Sequence, residues 1–262
     1  MSTVVMKFGG AAVATPEQFS KIAEVVAEER TRFKNLVIVV SAMADMTNQL
    51  VELAEQVHPE PPRREYDMLV SVGERISIAL LAMALEKRGI PAQSFTGSQS
   101  GIVTSDEHSN AHVVDVRPRR LLTAFEQNKV VIVAGFQGCS LRGEITTLGR
   151  NGSDISAVAL GVALGASEVI FFKDVDGVYS ADPKENPSAV HYPTLSYQEF
   201  YRTAGSSGVL HSRCVELAEH NALPLTVCSF DRPFKKCTKI FCSQALPPSS
   251  PRYEEISVAI TE

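Results

Sequence analysis

Residues Gly149, Arg150, Asn151, Gly152, Ser153 and Asp154 run straight into Ile155-Ser156-Ala157-Val158-Ala159-Leu160. A glycine-framed loop thus carries a cation and a carboxylate into the first turn of an apolar helix. Glycine lets a backbone approach a ligand closely. A helix start offers unpaired N–H groups and a partial positive charge to an anion. The Arg150 fork suits a carboxylate or a phosphate, and Asp154 could position a donor or hold a metal. Taken alone, the stretch is equally well read as a capped helix start. A second loop of the same kind lies near the N-terminus. There Val4-Val5-Met6-Lys7-Phe8 reads as a buried strand ended by Gly9-Gly10. Turn N–H groups with a lysine beside them suit phosphate; the alternative is a structural lysine at a strand end. A P-loop is excluded, because G-x-x-x-x-G-K-[ST] is absent.

The elements that must position these loops alternate between strand and helix. Thr15-Pro16-Glu17-Gln18 predicts a helix start, with Thr15 as N-cap and Gln18 closing a capping box. Phe19, Ile22, Ala23 and Val26 then form one apolar stripe. Leu36-Val37-Ile38-Val39-Val40 is a continuously apolar strand, as in buried parallel sheets. Ser41 and Thr47 follow it, where small and hydroxyl residues either line a ligand crevice or cap turns. A long helix is expected from about Arg64 to Lys87, and it contains Ser71-Val72-Gly73-Glu74. Glycine there costs about 1 kcal/mol relative to alanine, which is understandable if something must approach the backbone. Glu74 is either a solvent-side residue or a buried, partnered carboxylate. Further strands are expected at Ala92-Gln93-Ser94-Phe95, at residues 129–134, 168–173 and 225–228. Helices are expected at 117–128, from the opening loop through Leu164, near 196–204 and near 211–220. Phe136, between Gly135 and Gly138, could be a pocket wall or core packing. The fold class that follows is α/β, a three-layer αβα sandwich on a mostly parallel sheet.

A chain of 262 residues fits one large α/β domain or two lobes of about 100–150 residues. The formal net charge of −5 argues against a broad nucleic-acid-binding face while allowing a local cationic pocket. No apolar run is expected to reach membrane-spanning length, and no N-terminal signal is expected, since Met1-Ser2-Thr3-Val4 runs straight into a strand-like segment. The five cysteines (Cys139, Cys214, Cys228, Cys237, Cys242) are scattered without a C-x-x-C pair, so free thiols in a cytoplasmic protein are expected. No zinc spacing is present. Asp174 and Asp176 lack an EF-hand pattern. From about Ser243 the composition becomes linker-like.

The motifs occur in one order: Lys7-Phe8-Gly9-Gly10, Ser41-Ala42-Met43 with Thr47-Asn48, Ser71-Val72-Gly73-Glu74, Gly135-Phe136, residues 147–154, Asp174-Val175-Asp176-Gly177-Val178-Tyr179 with Asp182-Pro183, and Val209-Leu210-His211. Over about residues 3–243 the chain resembles the catalytic region of an aspartate kinase of the short monofunctional type, within the amino acid kinase superfamily. The resemblance implies phosphoryl transfer from Mg-ATP to the side-chain carboxylate of L-aspartate, the first step toward lysine, threonine and methionine. It implies that Lys7, with Gly9 and Gly10, stabilises the transferring phosphoryl group and that Asp154 organises the site. Ser41, Thr47, Glu74, Phe136, Arg150 and Ser153 would hold aspartate. Lys173, Asp174, Tyr179, Asp182 and Lys184 would hold the nucleotide. Mg2+ would arrive on ATP, with no protein side chain assigned to it. About residues 1–145 would form the acceptor lobe and about 146–243 the nucleotide lobe. Residues 244–262 would be a linker and the start of a missing ACT regulatory domain. A homodimer or an ACT-containing regulatory subunit would be the partner, with no nucleic acid and no membrane. The alternatives are another carboxylate acceptor, or a non-catalytic subunit.

Four departures from the family pattern stand out. Ala11 and Ala12 replace a usual Thr-Ser pair, so two hydroxyls near the phosphates are lost. Asn151 replaces a usual glycine, and asparagine is well able to take its place at positive φ. Lys173 stands where a threonine usually touches the nucleotide. Ser212 replaces a usual proline.

Overall fold

The computed structural model describes residues 2–183, 185–186, 188–203, 209–242 and 248–254. Strand β1 (Thr3–Phe8) leads through a 3-10 turn at Gly10–Val13 into helix α1 (Pro16–Glu29), and β2 (Asn35–Val40) follows. Helices α2 (Met46–Val57), α3 (Arg63–Val70) and α4 (Val72–Lys87) come next, then β3 (Ala92–Phe95), the short α5 (Gly97–Ser100), β4 (Ile102–Thr104) and β5 (Val113–Val116). The middle of the chain forms α6 (Arg119–Glu126), β6 (Val130–Ala134), β7 (Gln137–Ser140), β8 (Ile145–Thr147) and α7 (Gly152–Ala163). The last elements are β9 (Val169–Lys173), β10 (Val178–Tyr179), β11 (His191–Tyr192), β12 (Thr194–Ser196), α8 (Tyr197–Thr203), α9 (Ser212–His220), β13 (Leu225–Ser229) and β14 (Cys237–Phe241).

The main sheet runs β12-β14-β13-β9-β1-β2-β6-β3. Every pairing in it is parallel except β13 with β14. Buried on both faces, its strands divide their side chains by the two-residue period of a strand. Val4, Met6, Phe8, Leu36, Ile38 and Val40 belong to the core under α1 and α4. Val5, Val37, Val39, Val169 and Phe171 belong to the opposite core, under α7 and α9. The expected αβα sandwich is therefore present. A smaller sheet, β5-β4-β7-β8, stands beside it; its β5, β7 and β8 were not anticipated.

Several local expectations need correction. Thr15 caps α1 without a side-chain hydrogen bond, and the Gln18 side chain accepts instead from Ala14 N at 2.9 Å, so no capping box forms. The long helix is two, separated at Ser71, whose carbonyl accepts from Gln137 Nε2 at 2.7 Å. As one stretch, Arg63–Lys87 is 25 residues and long and apolar enough to cross a membrane by length and composition, against expectation. Its Val70, Leu81 and Leu85 are fully buried within the domain, as in the core helix of a globular protein. The cysteines are not all free: Cys228 and Cys237 face each other across β13 and β14 and form a disulfide, while Cys139, Cys214 and Cys242 are thiols. The pairing was missed because β14 was missed.

Within the expected linker, residues 248–254 lie back on the domain. Glu254 N donates to Val113 O at 3.0 Å, and the Glu254 carboxylate pairs with Arg213 at 2.7 Å. The strand-like run at 255–260, read as the start of an ACT domain, lies outside the described residues.

Gly73 has the close neighbour its cost implied. A Cβ there would lie 2.7 Å from Ala42 Cβ, so α4 begins in contact with the loop after β2. Gly73→Ala should lower unfolding free energy by about 1–3 kcal/mol through overpacking, read as a lower urea midpoint at unchanged slope. An unchanged midpoint would show that this approach is not tight.

Candidate active site

The carboxyl ends of β1, β2, β6 and β9 open into one cavity of about 800 Å³. Such crevices are where open α/β sheets bind ligands. Two lysines reach it by register. Lys7 shares the strand parity of Val5, and Lys173 that of Val169 and Phe171, so both lie on the face covered by α7. Strands β1 and β9 are adjacent, with Lys7 opposite Phe171. Lys173 is therefore one inward-facing step beyond Lys7.

Between them sits Asp154, in the first turn of α7 and 1% exposed. Its Oδ1 lies 2.7 Å from Lys7 Nζ, and its Oδ2 accepts from Lys173 Nζ at 2.8 Å. Burial alone would push this carboxyl up, but the two ammonium groups outweigh it and hold Asp154 below the usual carboxylate range. Burial also lowers the Lys7 ammonium, with Asp154 opposing. The position of α7 follows from small residues. Asn151 takes φ 55° just before the helix, as its identity predicted. A Cβ on Gly135 would lie 2.6 Å from Ser153 Cβ, and one on Gly152 would lie 2.7 Å from Leu148 Cβ, so the helix start sits directly on the end of β6.

Glu74 resolves its ambiguity on the buried side, at 3% exposure. Its Oε1 accepts from Ala42 N at 3.0 Å. Its Oε2 has no hydrogen-bond partner among the described residues. Burial raises its pKa to about 7, against the Ala42 N–H and the charge of Lys7. An orphaned, buried carboxylate oxygen on a cavity wall is costly unless a ligand donor or cation completes it.

The structure brings Lys7, Gly9, Gly10, Ser41, Thr47, Glu74, Phe136, Arg150, Ser153, Lys173 and Asp174 to this one cavity, with Asp154 held beneath the two lysines. Ser41 Oγ and Ser153 Oγ share a hydrogen bond of 2.9 Å, joining the loop after β2 to α7. Phe136 adopts φ 69° and its N–H donates to Ser156 Oγ at 3.0 Å. Arg150 is exposed at the rim. Tyr179 and Asp182 are not among the lining residues. The Tyr179 hydroxyl instead donates to Asp176 Oδ1 at 2.5 Å and accepts from Lys236 Nζ at 2.8 Å. Lys184 lies outside the described residues.

Sequence reasoning missed Gln18, Tyr66, Ser109, Thr147, Phe230 and Asp231, all lining the cavity. It also missed Asp67, fully buried beneath it. Asp67 accepts from Ser109 N at 3.0 Å, Thr147 N at 3.1 Å and Thr147 Oγ1 at 2.7 Å, and pairs with His108 Nδ1 at 2.9 Å. It thereby fixes two wall residues at once. Its available signal was a carboxylate set directly against Met68-Leu69-Val70, the same signal Glu74 carried. Among the described residues no three His, Cys, Asp or Glu side chains gather as a metal site.

Residues 2–229 match the model of the amino acid kinase family. The chain belongs to the amino acid kinase family. An aspartokinase of Mycobacterium bovis is 48% identical over 237 residues, covering 89% of this chain and 56% of its own length. The chain spans about half the length of the curated relatives it matches. The crystal structure of aspartate kinase from Synechocystis superimposes with a TM-score of 0.84 at 39% identity, covering 97% of this chain and 42% of that one. Aspartokinase III from E. coli, in complex with aspartate and ADP, gives 0.81 at 26% identity, covering 92% and 65%. The mixed sheet and covering helices of this amino acid kinase thus match those of aspartate kinase structures.

Removing the shared carboxylate should be costly. Asp154→Asn leaves two close ammonium groups without their counter-charge, and about 3–5 kcal/mol of unfolding free energy should be lost. The double variant Asp154→Asn/Lys173→Met should recover part of it. Urea unfolding measures both; equal stability of Asp154→Asn and the parent would refute the shared pairing.

Proposed function

We propose that this chain carries the catalytic domain of an aspartate kinase, transferring the γ-phosphoryl group of ATP to the side-chain carboxylate of L-aspartate to give 4-phospho-L-aspartate. The observation that carries the reading is the orphaned Oε2 of buried Glu74 in the same cavity as Lys7. Aspartate brings an ammonium group to complete Glu74 and an α-carboxylate for the Arg150 fork. Ser41, Thr47, Phe136 and Ser153 complete its pocket. Its reacting carboxylate then faces the Lys7 end of the sheet.

The chemistry needs no general base. The acceptor carboxylate is already ionised near neutral pH, since its ordinary pKa is about 3.9. One of its oxygens forms a bond to the γ-phosphorus while the bridging P–O bond breaks, and the electron pair leaves with ADP. Catalysis is then positioning and charge stabilisation. Lys7, steadied by Asp154, meets the charge spread over the transferring oxygens, with the N–H groups of Gly9 and Gly10 beside it. Lys173 and Asp174 face the nucleotide, while Tyr179 and Asp182 stand outside the cavity lining and would meet only the outer part of a bound nucleotide. Asp154 already neutralises two ammonium groups, which lie 2.7 and 2.8 Å from its oxygens, so no metal is assigned to it. Mg2+ would travel on the ATP phosphates and neutralise their charge, with Asp174 and Asp231 as the wall carboxylates suited to it.

On this reading about residues 1–145 form the acceptor lobe and about 146–243 the nucleotide lobe, with Lys7, Gly9 and Gly10 reaching the phosphates and Arg150 and Ser153 reaching the acceptor, and residues 244–262 are a linker toward an ACT domain. The enzyme is cytoplasmic and works as a homodimer or with an ACT-containing subunit.

Incubation with Mg-ATP, L-aspartate and hydroxylamine should yield aspartyl hydroxamate and ADP. No hydroxamate from folded, ATP-binding protein would sink the reading, and hydroxamate with another acid alone would redirect it. Lys7→Ala should lower kcat by about 10²–10³-fold, as removal of an electrostatic stabiliser does; undiminished turnover would refute its role. Glu74 must be ionised to hold an ammonium, and its pKa is raised to about 7. Aspartate binding should therefore weaken as pH falls through that value, with KM rising toward about tenfold per pH unit. Glu74→Gln should raise KM and abolish this acid limb. A KM for aspartate that is flat from about pH 5.5 to about pH 8 would contradict the assignment.

A further inference from the structure

Asp67, in α3, does more than tie two wall residues together. It is fully buried, and among the described residues no lysine or arginine pairs with it; His108 Nδ1 lies 2.9 Å from its Oδ2. Donors from two segments fill the rest of its capacity. Oδ2 also accepts from Ser109 N at 3.0 Å and from Thr147 N at 3.1 Å. Oδ1 accepts from the Thr147 hydroxyl at 2.7 Å and from the Ser109 hydroxyl at 3.3 Å. A hydroxyl has one proton to donate and two lone pairs to offer. Both protons are committed to Asp67, so the hydroxyls of Ser109 and Thr147, two residues that line the cavity, keep acceptor capacity alone. A neutral amide at position 67 would tie the same segments, but its NH2 group would turn one hydroxyl round. The cluster adjoins both groups assigned to the head of the acceptor. A Cβ on Gly149, next to Arg150, would lie 2.9 Å from Asn110 Oδ1 and 3.4 Å from Ser109 O. Helix α3 passes at Ser71 directly into α4, whose first turn carries Glu74.

We propose that Asp67 is a positioning residue for acceptor specificity: by drawing both hydroxyl protons to itself it makes this wall accept only, and so selects an acceptor that carries an ammonium group over one that carries a hydroxyl at the same carbon. This rests on the aspartate reading of the same cavity. An ammonium group has three N–H donors and no acceptor. The orphaned Glu74 Oε2 takes one donor, and the lone pairs of Ser109 and Thr147 take the other two. A 2-hydroxy acid of the same length brings one O–H and two lone pairs, and its lone pairs would face lone pairs here. Sites built around a substrate's N–H groups reject analogues lacking them far more strongly than apolar pockets reject a change of size. No bond at this carbon changes in the reaction, so Asp67 acts on acceptor binding and not on the phosphoryl group.

The alternative role for Asp67 is a structural brace, which would change stability and the amount of active enzyme while leaving selectivity as it was. The hydroxamate assay separates the two when L-malate is added as a competitor of L-aspartate. The readout is the ratio of the L-malate inhibition constant to the KM for L-aspartate. Asp67→Asn should raise KM for L-aspartate by about 10–100-fold while KM for ATP changes less than about threefold. It should also lower the malate-to-aspartate ratio by at least about tenfold. Should Asp67→Asn fail to fold, Thr147→Val and Ser109→Ala leave the carboxylate in place and each remove one acceptor. Both should move the ratio in the same direction, and Thr147→Ser should keep the parent value. Variants of lowered stability that keep the parent ratio, or L-malate that binds the parent as tightly as L-aspartate, would overturn the proposal alone. A parent protein that makes no hydroxamate from L-aspartate would overturn the acceptor reading and this proposal with it.

Discussion

Everything in the cleft depends on one buried carboxylate. Asp154 is almost wholly enclosed, and isolated charge in such a place is expensive unless paired. Its partners come from two neighbouring parallel strands, one ammonium to each oxygen. The pairing therefore locks three elements, β1, β9 and α7, at the point where they meet. It also leaves an excess of positive charge at the open end of the sheet. On the proposed reading stability and function draw on the same contact: the carboxylate makes buried Lys7 and half-buried Lys173 tolerable, and the two lysines offer positive charge to phosphate.

The fold supplies that contact through register and close approach. A parallel sheet aligns its strand ends, so lysines at the ends of β1 and β9 emerge side by side. Strand parity turns both toward α7. Glycines at 135 and 152 remove the side chains that would hold α7 away. Ser41 and Ser153, bonded to each other, tie the opposite lip. Across the cavity a second buried carboxylate, Glu74, has one oxygen fixed by Ala42 N–H and one left for a ligand. The cleft thus has a cationic end and an anionic wall, which is the complement of a zwitterionic acid lying beside a polyphosphate.

Much of this was legible in the sequence, for physical reasons. Apolar strands ending in Gly9-Gly10 or leading into Ser41 announce buried parallel strands with ligand loops. Asn151 announces its positive φ by its type. Other features were not legible. Helix α4 is apolar nearly all round, with Val72, Ile76 and Met83 exposed, so periodicity could not say which way Glu74 faced. Strand β14 carries lysine and threonine among its apolar residues, which hid both the hairpin and the Cys228–Cys237 pair. Tyr179 follows directly on a site loop in sequence, yet β10 pairs with β11 and its hydroxyl serves Asp176 and Lys236. Asp67 acts through partners 42 and 80 residues away in sequence, Ser109 and Thr147, which converge on it only in the folded chain.

The most direct test of this arrangement is a crystal structure of the protein with L-aspartate and a non-hydrolysable Mg-ATP analogue. The account predicts the aspartate ammonium on Glu74 Oε2, its α-carboxylate on Arg150, and the terminal phosphate against Lys7 with Asp154 still beneath. Aspartate bound with its ammonium away from Glu74, or a terminal phosphate out of reach of Lys7, would contradict it.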